Sequence, residues 1–505
     1  VRKFGSPLLI VLVAVMVTGC AHNGDAGGGA GATSAPTPAT SGPPPIAVAA
    51  TVAGPLTGGT GISLAAAGPG PDLGQAGYQE AEYVASGTAT SYKSVGDLPQ
   101  DGTFHLSPDS RADYTTRLVV RRPADPAAFN GVVLVEWLNV SGGLDAGPDY
   151  TYLADEILRR GYAWVGVSAQ RIGVEGGPVA VGVPGSEAGG AGKGLKAIDP
   201  ARYGALHHPG DAYAYDIYTQ IAQALRSPGS TDPLAGLGVQ RVLALGESQS
   251  AFTLTTYYDG VQPLTHEFDG FFIHSRGGAP APLSSPSGEI DIVTSLSGRP
   301  TTLRTDQPTP AIVIETETDV LSVLGFYPAR QPDNDHLRVW EVAGTAHADQ
   351  FQIGPLATSL GCGPINNGQQ VYVLRAALRH LDDWVSTGAV PPRGTPLDVD
   401  VNTAKPTYRL DRLGNVKGGV RTPALDAPVD LLSGIAPNPL SIICLLLGTT
   451  TPLSRQQLDG LYSSKGDYLT TYTAATDAAI AAGFALPEDR TQILEGADPT
   501  RFANS

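Results

Sequence analysis

Ser248 stands in Arg241-Val242-Leu243-Ala244-Leu245-Gly246-Glu247-Ser248-Gln249-Ser250-Ala251-Phe252, where an apolar run turns sharply into a helix-forming stretch. A serine hydroxyl is a weak nucleophile near neutral pH. It attacks a carbonyl when an imidazole takes its proton and a carboxylate orients the imidazole. The chain has nine histidines, and two loop carboxylates, Glu317 and Asp319, follow the apolar run Ala311 to Glu315. The chemistry on offer is therefore acyl transfer through a serine, provided the fold brings an imidazole and a carboxylate to Ser248.

The elements able to do this are legible as alternating apolar runs and amphipathic stretches. Val132 to Val135, Ala163 to Val167, Arg241 to Leu245, Gly270 to His274, Ala311 to Glu315 and Leu337 to Val342 read as short buried strands. Between the first two, Tyr150, Leu153, Ala154, Ile157 and Leu158 recur at helical spacing, and Gly161 is placed to cap the helix. Strand, helix and strand in succession make a βαβ unit and hence a parallel sheet. A second helix carries Ala214, Ile217, Tyr218, Ile221 and Leu225 on one face, and Gln369 to Val385 supplies a closing helix. The glycine-rich stretch Gly173 to Gly194 has no periodicity and reads as a loop or lid insertion. Residues 49–130 read as short antiparallel edge strands, 131–394 as a catalytic core and 395–505 as a C-terminal extension packed on it.

The Ser248 segment is similar to the nucleophile elbow of α/β-hydrolases, G-x-S-x-G, with Ser250 in place of the last glycine. In that fold the partners follow in the order serine, acid, histidine, each just after a strand. His22, His105, His207 and His208 precede Ser248, and His266 and His274 precede any suitable acid. His336 begins a strand and His380 lies within a helix, whereas His347 follows Leu337 to Val342 at its carboxyl end, where such sites gather. His347 is the expected base and Asp319 the expected acid, with Glu317 two residues away as the alternative. The oxyanion hole calls for the amide of Gln249 and a second donor within Trp137 to Gly143, with Asn139 as candidate.

Tyr114-Thr115-Thr116-Arg117, Phe129-Asn130-Gly131, Val135-Glu136-Trp137-Leu138-Asn139-Val140, Gly246-Glu247-Ser248-Gln249-Ser250, Thr316-Glu317-Thr318-Asp319 and Gly414-Asn415-Val416-Lys417-Gly418-Gly419-Val420-Arg421-Thr422-Pro423 give the chain a wider likeness. It resembles bacterial and fungal proteins described as containing an alpha/beta hydrolase domain. The resemblance runs from about residue 50 to about residue 500. It implies an α/β-hydrolase fold with a mostly parallel central sheet, a β-rich N-terminal segment, lid-type insertions and a C-terminal extension. It also implies a serine-histidine-acid triad, and is silent on substrate.

The first nineteen residues read as an export signal, with Arg2 and Lys3 before the apolar run Leu8 to Val17. Val17-Thr18-Gly19-Cys20 resembles the lipobox of bacterial lipoproteins, which implies lipidation at Cys20, the mature N-terminus. Residues 20–48 read as a flexible tether. The expected location is the cell envelope, lipid-anchored to the outer face of the cytoplasmic membrane, or secreted. Cys362 and Cys444 then remain as an even pair in an oxidising compartment and read as a disulfide.

The net charge of −16 argues against nucleic acid as a partner, which is held through clustered Lys and Arg. No GxGxxG, Walker loop or HExxH occurs, so neither a cofactor nor a catalytic metal is implied. The expected substrate is a small-molecule or lipid ester, cleaved through an acyl-serine. An envelope acyltransferase with the same triad, an amidase or peptidase, and a binding lipoprotein on an inactive hydrolase scaffold remain as alternatives.

Overall fold

A computed structural model describes residues 48–65, 70–437 and 441–502. The expected signal run, Cys20 and the tether up to residue 47 lie outside the described residues.

Each of the six apolar runs forms a strand. Together with three N-terminal ones they are β1 (Thr51–Ala53), β2 (Tyr78–Ser94), β3 (Leu106–Pro123), β4 (Val132–Trp137), β5 (Ala163–Val167), β6 (Arg241–Glu247), β7 (Gly270–His274), β8 (Ala311–Thr316) and β9 (Leu337–Val342). They build one nine-stranded sheet in the order β1-β2-β3-β5-β4-β6-β7-β8-β9. All pairings from β5 to β9 across the sheet are parallel, while β1, β2 and β3 pair antiparallel and β3 meets β5 antiparallel. This is the mostly parallel α/β-hydrolase arrangement. Its parallel strands are buried and largely apolar because helices cover both faces.

On one face Val133, Val135, Ala244 and Phe271 pack against Ile217, Tyr218 and Ile221 of the helix Ala214–Arg226. On the other, Leu134, Trp164, Leu243, Leu245 and Trp340 meet Leu153 and Ile157 of Pro148–Arg160 and Leu374, Leu378 and Leu381 of Gln370–Thr387. Trp164 and Trp340 are fully buried, and truncating either costs about 3–5 kcal/mol, a large share of a domain's net stability. The helix Pro148–Arg160 opens with proline at its first position and ends at Gly161, whose φ of 75° is left-handed. A Cβ there would fall 1.9 Å from the carbonyl oxygen of Ala128, so only glycine fits.

The N-terminal segment departs from the short strands expected of it. β2 and β3 are 17 and 18 residues long and form one hairpin from Tyr78↔Pro123 to Ser94↔Leu106. Pro108 does not end β3, because it falls near the hairpin tip opposite Tyr92, beyond the register shift between Thr90 and Tyr92.

Beyond residue 395 the chain adds the pair Asp430–Ser433 and Thr449–Pro452, then Lys465–Ala481 and Arg490–Glu495 around Tyr462, Tyr468, Tyr472 and Ile493. Buried Asp489 joins this part to the sheet helices through Arg159 Nη1 at 2.6 Å and Arg375 Nη1 at 3.1 Å.

Candidate active site

The sheet delivers three side chains to its carboxyl edge. Ser248 follows β6 directly and starts the helix Gln249–Thr256 with φ 57° and ψ −123°, a conformation that L-residues adopt only when their surroundings enforce it. The enforcement comes from both sides: Ser248 N–H donates to the His274 carbonyl at 2.9 Å, and its own carbonyl accepts the amide of Ala251 at 2.8 Å. The strand and helix cross closely at Gly246, where a Cβ would lie 2.9 Å from Leu254 Cδ1 and 3.1 Å from Ser250 Cβ. Ser250 therefore fits where the motif has glycine, with its Cβ against a residue that has none.

His347 lies in the loop after β9. Its Nε2 is 2.9 Å from Ser248 Oγ, and its Nδ1 is 2.7 Å from Asp319 Oδ1. Asp319 sits in the short helix Glu317–Leu321 after β8, where Thr316 forms a capping box with it. Asp319 Oδ2 accepts from Ser275 Oγ and from the amide and hydroxyl of Thr316, each at 2.7 Å. Burial opposes charge on Asp319, but the His347 imidazole and these donors outweigh it and hold the carboxyl below the ordinary aspartate range. Burial likewise opposes charge on His347, yet the carboxylates of Asp319 and Glu247 prevail and raise its pKa. With Asp319 accepting at Nδ1, the neutral imidazole presents a lone pair at Nε2 to the serine.

Glu317, the alternative acid, points elsewhere. Its carboxylate oxygens accept the amides of Gly344 at 2.6 Å and Gly434 at 2.8 Å, and burial pushes its carboxyl up to about 7. It ties the loop after β9 to the C-terminal extension.

Gln249 offers the first amide of its helix, which has no intrahelical acceptor. Asn139, the expected second donor, has its backbone amide already engaged. Its amide donates to the Ala146 carbonyl at 2.9 Å in an antiparallel bridge, and its side chain reaches Glu247. The neighbouring Val140 amide is directed to Gln249 Oε1 at 3.3 Å, a long bond. The sequence could not separate these adjacent amides, because the bridge to Ala146 is a tertiary feature.

The stretch after Gly173 folds over this loop. Ala180 and Val181 donate to the Ser141 carbonyl at 3.0 and 2.9 Å, and Gly192 donates to that of Gly143 at 2.8 Å. Ser248 and His347 are only 4% and 3% exposed. An apolar cavity of about 250 Å³ opens beside it, lined in part by Gly142, Leu144, Val183, Ile353, Leu356 and Leu360. Cys362 and Cys444 form the expected disulfide, S–S 2.06 Å. Two residues past Cys444, the Leu446 carbonyl accepts the amide of Ala348, next to His347.

Sequence reasoning missed Glu247, Ser275 and a second buried pair in which His274 Nδ1 is 2.9 Å from Asp149 Oδ1. The signal for Glu247 and His274 was strand alternation, which puts them on the same buried face as Leu245 and Phe272.

The buried acids set the pH response of the fold. Burial pushes Glu247 and Glu317 up to about 7 and Asp211 and Asp349 up to about 6. The folded chain thus holds these protons more tightly than the unfolded one, and the stability this confers is complete at acid pH and lost as pH rises through 6 to 7. His347, also raised, acts in the same direction. Tm should therefore fall between about pH 5 and about pH 8. A scanning-fluorimetry series in which Tm instead rises over that interval would contradict the assignment.

Residues 52–495 match the family described as alpha/beta hydrolase domain. No curated protein matches the chain. Among solved structures, it is similar to a fungal esterase from Rhizomucor miehei at 12% identity, over 60% of this chain and 85% of that one, TM-score 0.31. A thermostable esterase from Pseudomonas putida ECU1011 is 14% identical over 63% of this chain and 85% of that one, TM-score 0.31. A glucuronoyl esterase from Solibacter usitatus is 12% identical over 60% and 83%, TM-score 0.27.

Proposed function

The chain belongs to the alpha/beta hydrolase domain family, and from that premise we propose that it is a serine hydrolase of carboxylic esters acting through Ser248, His347 and Asp319. The observation that carries this reading is the 2.9 Å approach of Ser248 Oγ to His347 Nε2, with Asp319 at 2.7 Å on the far side of the ring. Ser248 Oγ attacks the ester carbonyl as its proton passes to Nε2. The carbonyl oxygen becomes an oxyanion before the amides of Gln249 and Val140, the latter leaving Gln249 Oε1 to receive it. Asp319 stabilises the imidazolium, which returns the proton to the departing alcohol as the C–O bond breaks. Water then repeats the sequence on the acyl-serine, giving the acid and free Ser248.

An ester fits better than an amide because an alcohol departs with less protonation than an amine requires. The apolar cavity beside Gly142 suits the hydrocarbon part of such a substrate. The reading is tested by treating the chain with a fluorophosphonate probe and by comparing nitrophenyl esters of graded chain length with matched anilides. Expected are stoichiometric labelling and ester turnover at least about 10²-fold above the anilide, a difference of about 3 kcal/mol in barrier. A folded chain that neither labels nor turns over any ester is a binding protein on this scaffold, and preferred cleavage of the anilide makes it an amidase.

A further inference from the structure

Beside Ser248 and His347 lies a second carboxylate that a serine-histidine-acid mechanism does not use. Glu247 Oε1 is 3.3 Å from His347 Nε2, the nitrogen that faces the serine. Glu247 is 4% exposed, and among the described residues no Lys or Arg pairs with it. Asn139 fixes it in place, its Nδ2 donating to Glu247 Oε2 at 3.2 Å and to the Glu247 carbonyl at 3.1 Å. The imidazole thus has a carboxylate at each nitrogen: Asp319 at Nδ1 and Glu247 at Nε2.

Other ionisable groups face Glu247 from each element around it: His274 on β7, Asp149 and Tyr152 on the helix Pro148–Arg160, and Asp319 after β8. His274 donates no charge near neutral pH, since burial lowers its pKa to about 4. Asp149 is buried with a raised pKa and Tyr152 is held well above the ordinary tyrosine value, chiefly by burial in each case. Asp319 is already engaged at Nδ1. The group left to bias the serine side of the imidazole is Glu247.

We propose that Glu247 is a second carboxylate partner of His347, stabilising the imidazolium from the Nε2 side and thereby setting the pH below which the base is already protonated and idle. The inference rests on the Ser248 hydrolase reading. When Ser248 gives up its proton, the imidazolium N–H has Glu247 as an acceptor until the departing alcohol takes the proton. At rest the same carboxylate favours protonation of the base. Burial pushes the Glu247 carboxyl up to about 7, with His347 opposing that rise. Asn139 becomes a positioning residue that holds the carboxylate against the ring.

Glu247→Gln keeps an acceptor for Asn139 and removes the charge. Two midpoints are measured on the full chain: that of fluorophosphonate labelling rate against pH, and that of the low-field proton NMR resonance of the His347–Asp319 hydrogen bond. Loss of a carboxylate within 4 Å lowers an imidazole pKa, so both midpoints should move down by roughly one to two pH units. A purely structural Glu247 would alter Tm and leave the midpoints in place, and unchanged midpoints in a folded Glu247→Gln overturn the inference. Should that variant not fold, Glu247→Asp decides, because its shorter arm withdraws the charge: an intermediate downward shift supports the inference and none overturns it. If the wild-type chain never labels, the hydrolase reading falls, while the NMR midpoint still tests Glu247.

Discussion

Ser248→Ala should lower kcat/KM on a nitrophenyl ester about 10⁴- to 10⁶-fold and abolish fluorophosphonate labelling. The size of the loss follows from what is removed: without Oγ no acyl-enzyme forms, and only the oxyanion donors and binding remain to assist direct attack by water. The fold should survive. Ser248 Oγ has His347 as its hydrogen-bond partner, and alanine occupies the same left-handed turn, already imposed by the His274 carbonyl and the Ala251 amide. A Tm change above what about 1 kcal/mol produces would mean that the substitution acts on structure. Residual turnover within about tenfold of wild type would place the nucleophile elsewhere and end the Ser248 reading.

The second large effect separates two neighbouring carboxylates. Asp319→Asn should reduce kcat about 10⁴-fold with little change in Tm. An asparagine amide can donate to Nδ1, which stabilises the tautomer bearing a proton on Nε2, so the ring offers the serine no lone pair. Glu317→Gln should do the opposite. Its carboxylate accepts the amides of Gly344 and Gly434, and a glutamine NH₂ group would oppose one of those donors at a cost of about 1–3 kcal/mol. Tm should drop by several degrees while kcat stays within about tenfold of wild type. Thermal melts and steady-state kinetics on the two variants decide the matter, and the reversed pattern would make Glu317 the acid.

These two residues also show how far the sequence could be read. Strands β4 to β9 were legible because a parallel strand covered on both faces carries a near-continuous apolar run. The order of elements narrowed the histidines to one that follows a strand, which is a property of position. Choosing between Asp319 and Glu317 needs a direction, and direction is set by the turn of the helix Glu317–Leu321 and by the Gly434 amide, which arrives from far along the chain. Asn139 illustrates the same limit. Its place in the loop after β4 was readable, but the bridge to Ala146 that engages its amide, and the Glu247 carboxylate that engages its side chain, are contacts between distant segments. The length of the β2–β3 hairpin is not legible in the composition, because Pro108 falls where a register shift near the tip accommodates it.

The loops that carry Asp319 and His347 are each fastened by a backbone group supplied late in the chain, the Gly434 amide through Glu317 and the Leu446 carbonyl through Ala348. During synthesis the ribosome has thus already issued Ser248, Asp319 and His347 while the clamps that hold two of them have yet to emerge. The clamping groups belong to about the last seventh of the polypeptide. A version shortened just past the His347 loop would own all three of these side chains and still lack the parts that keep them aligned.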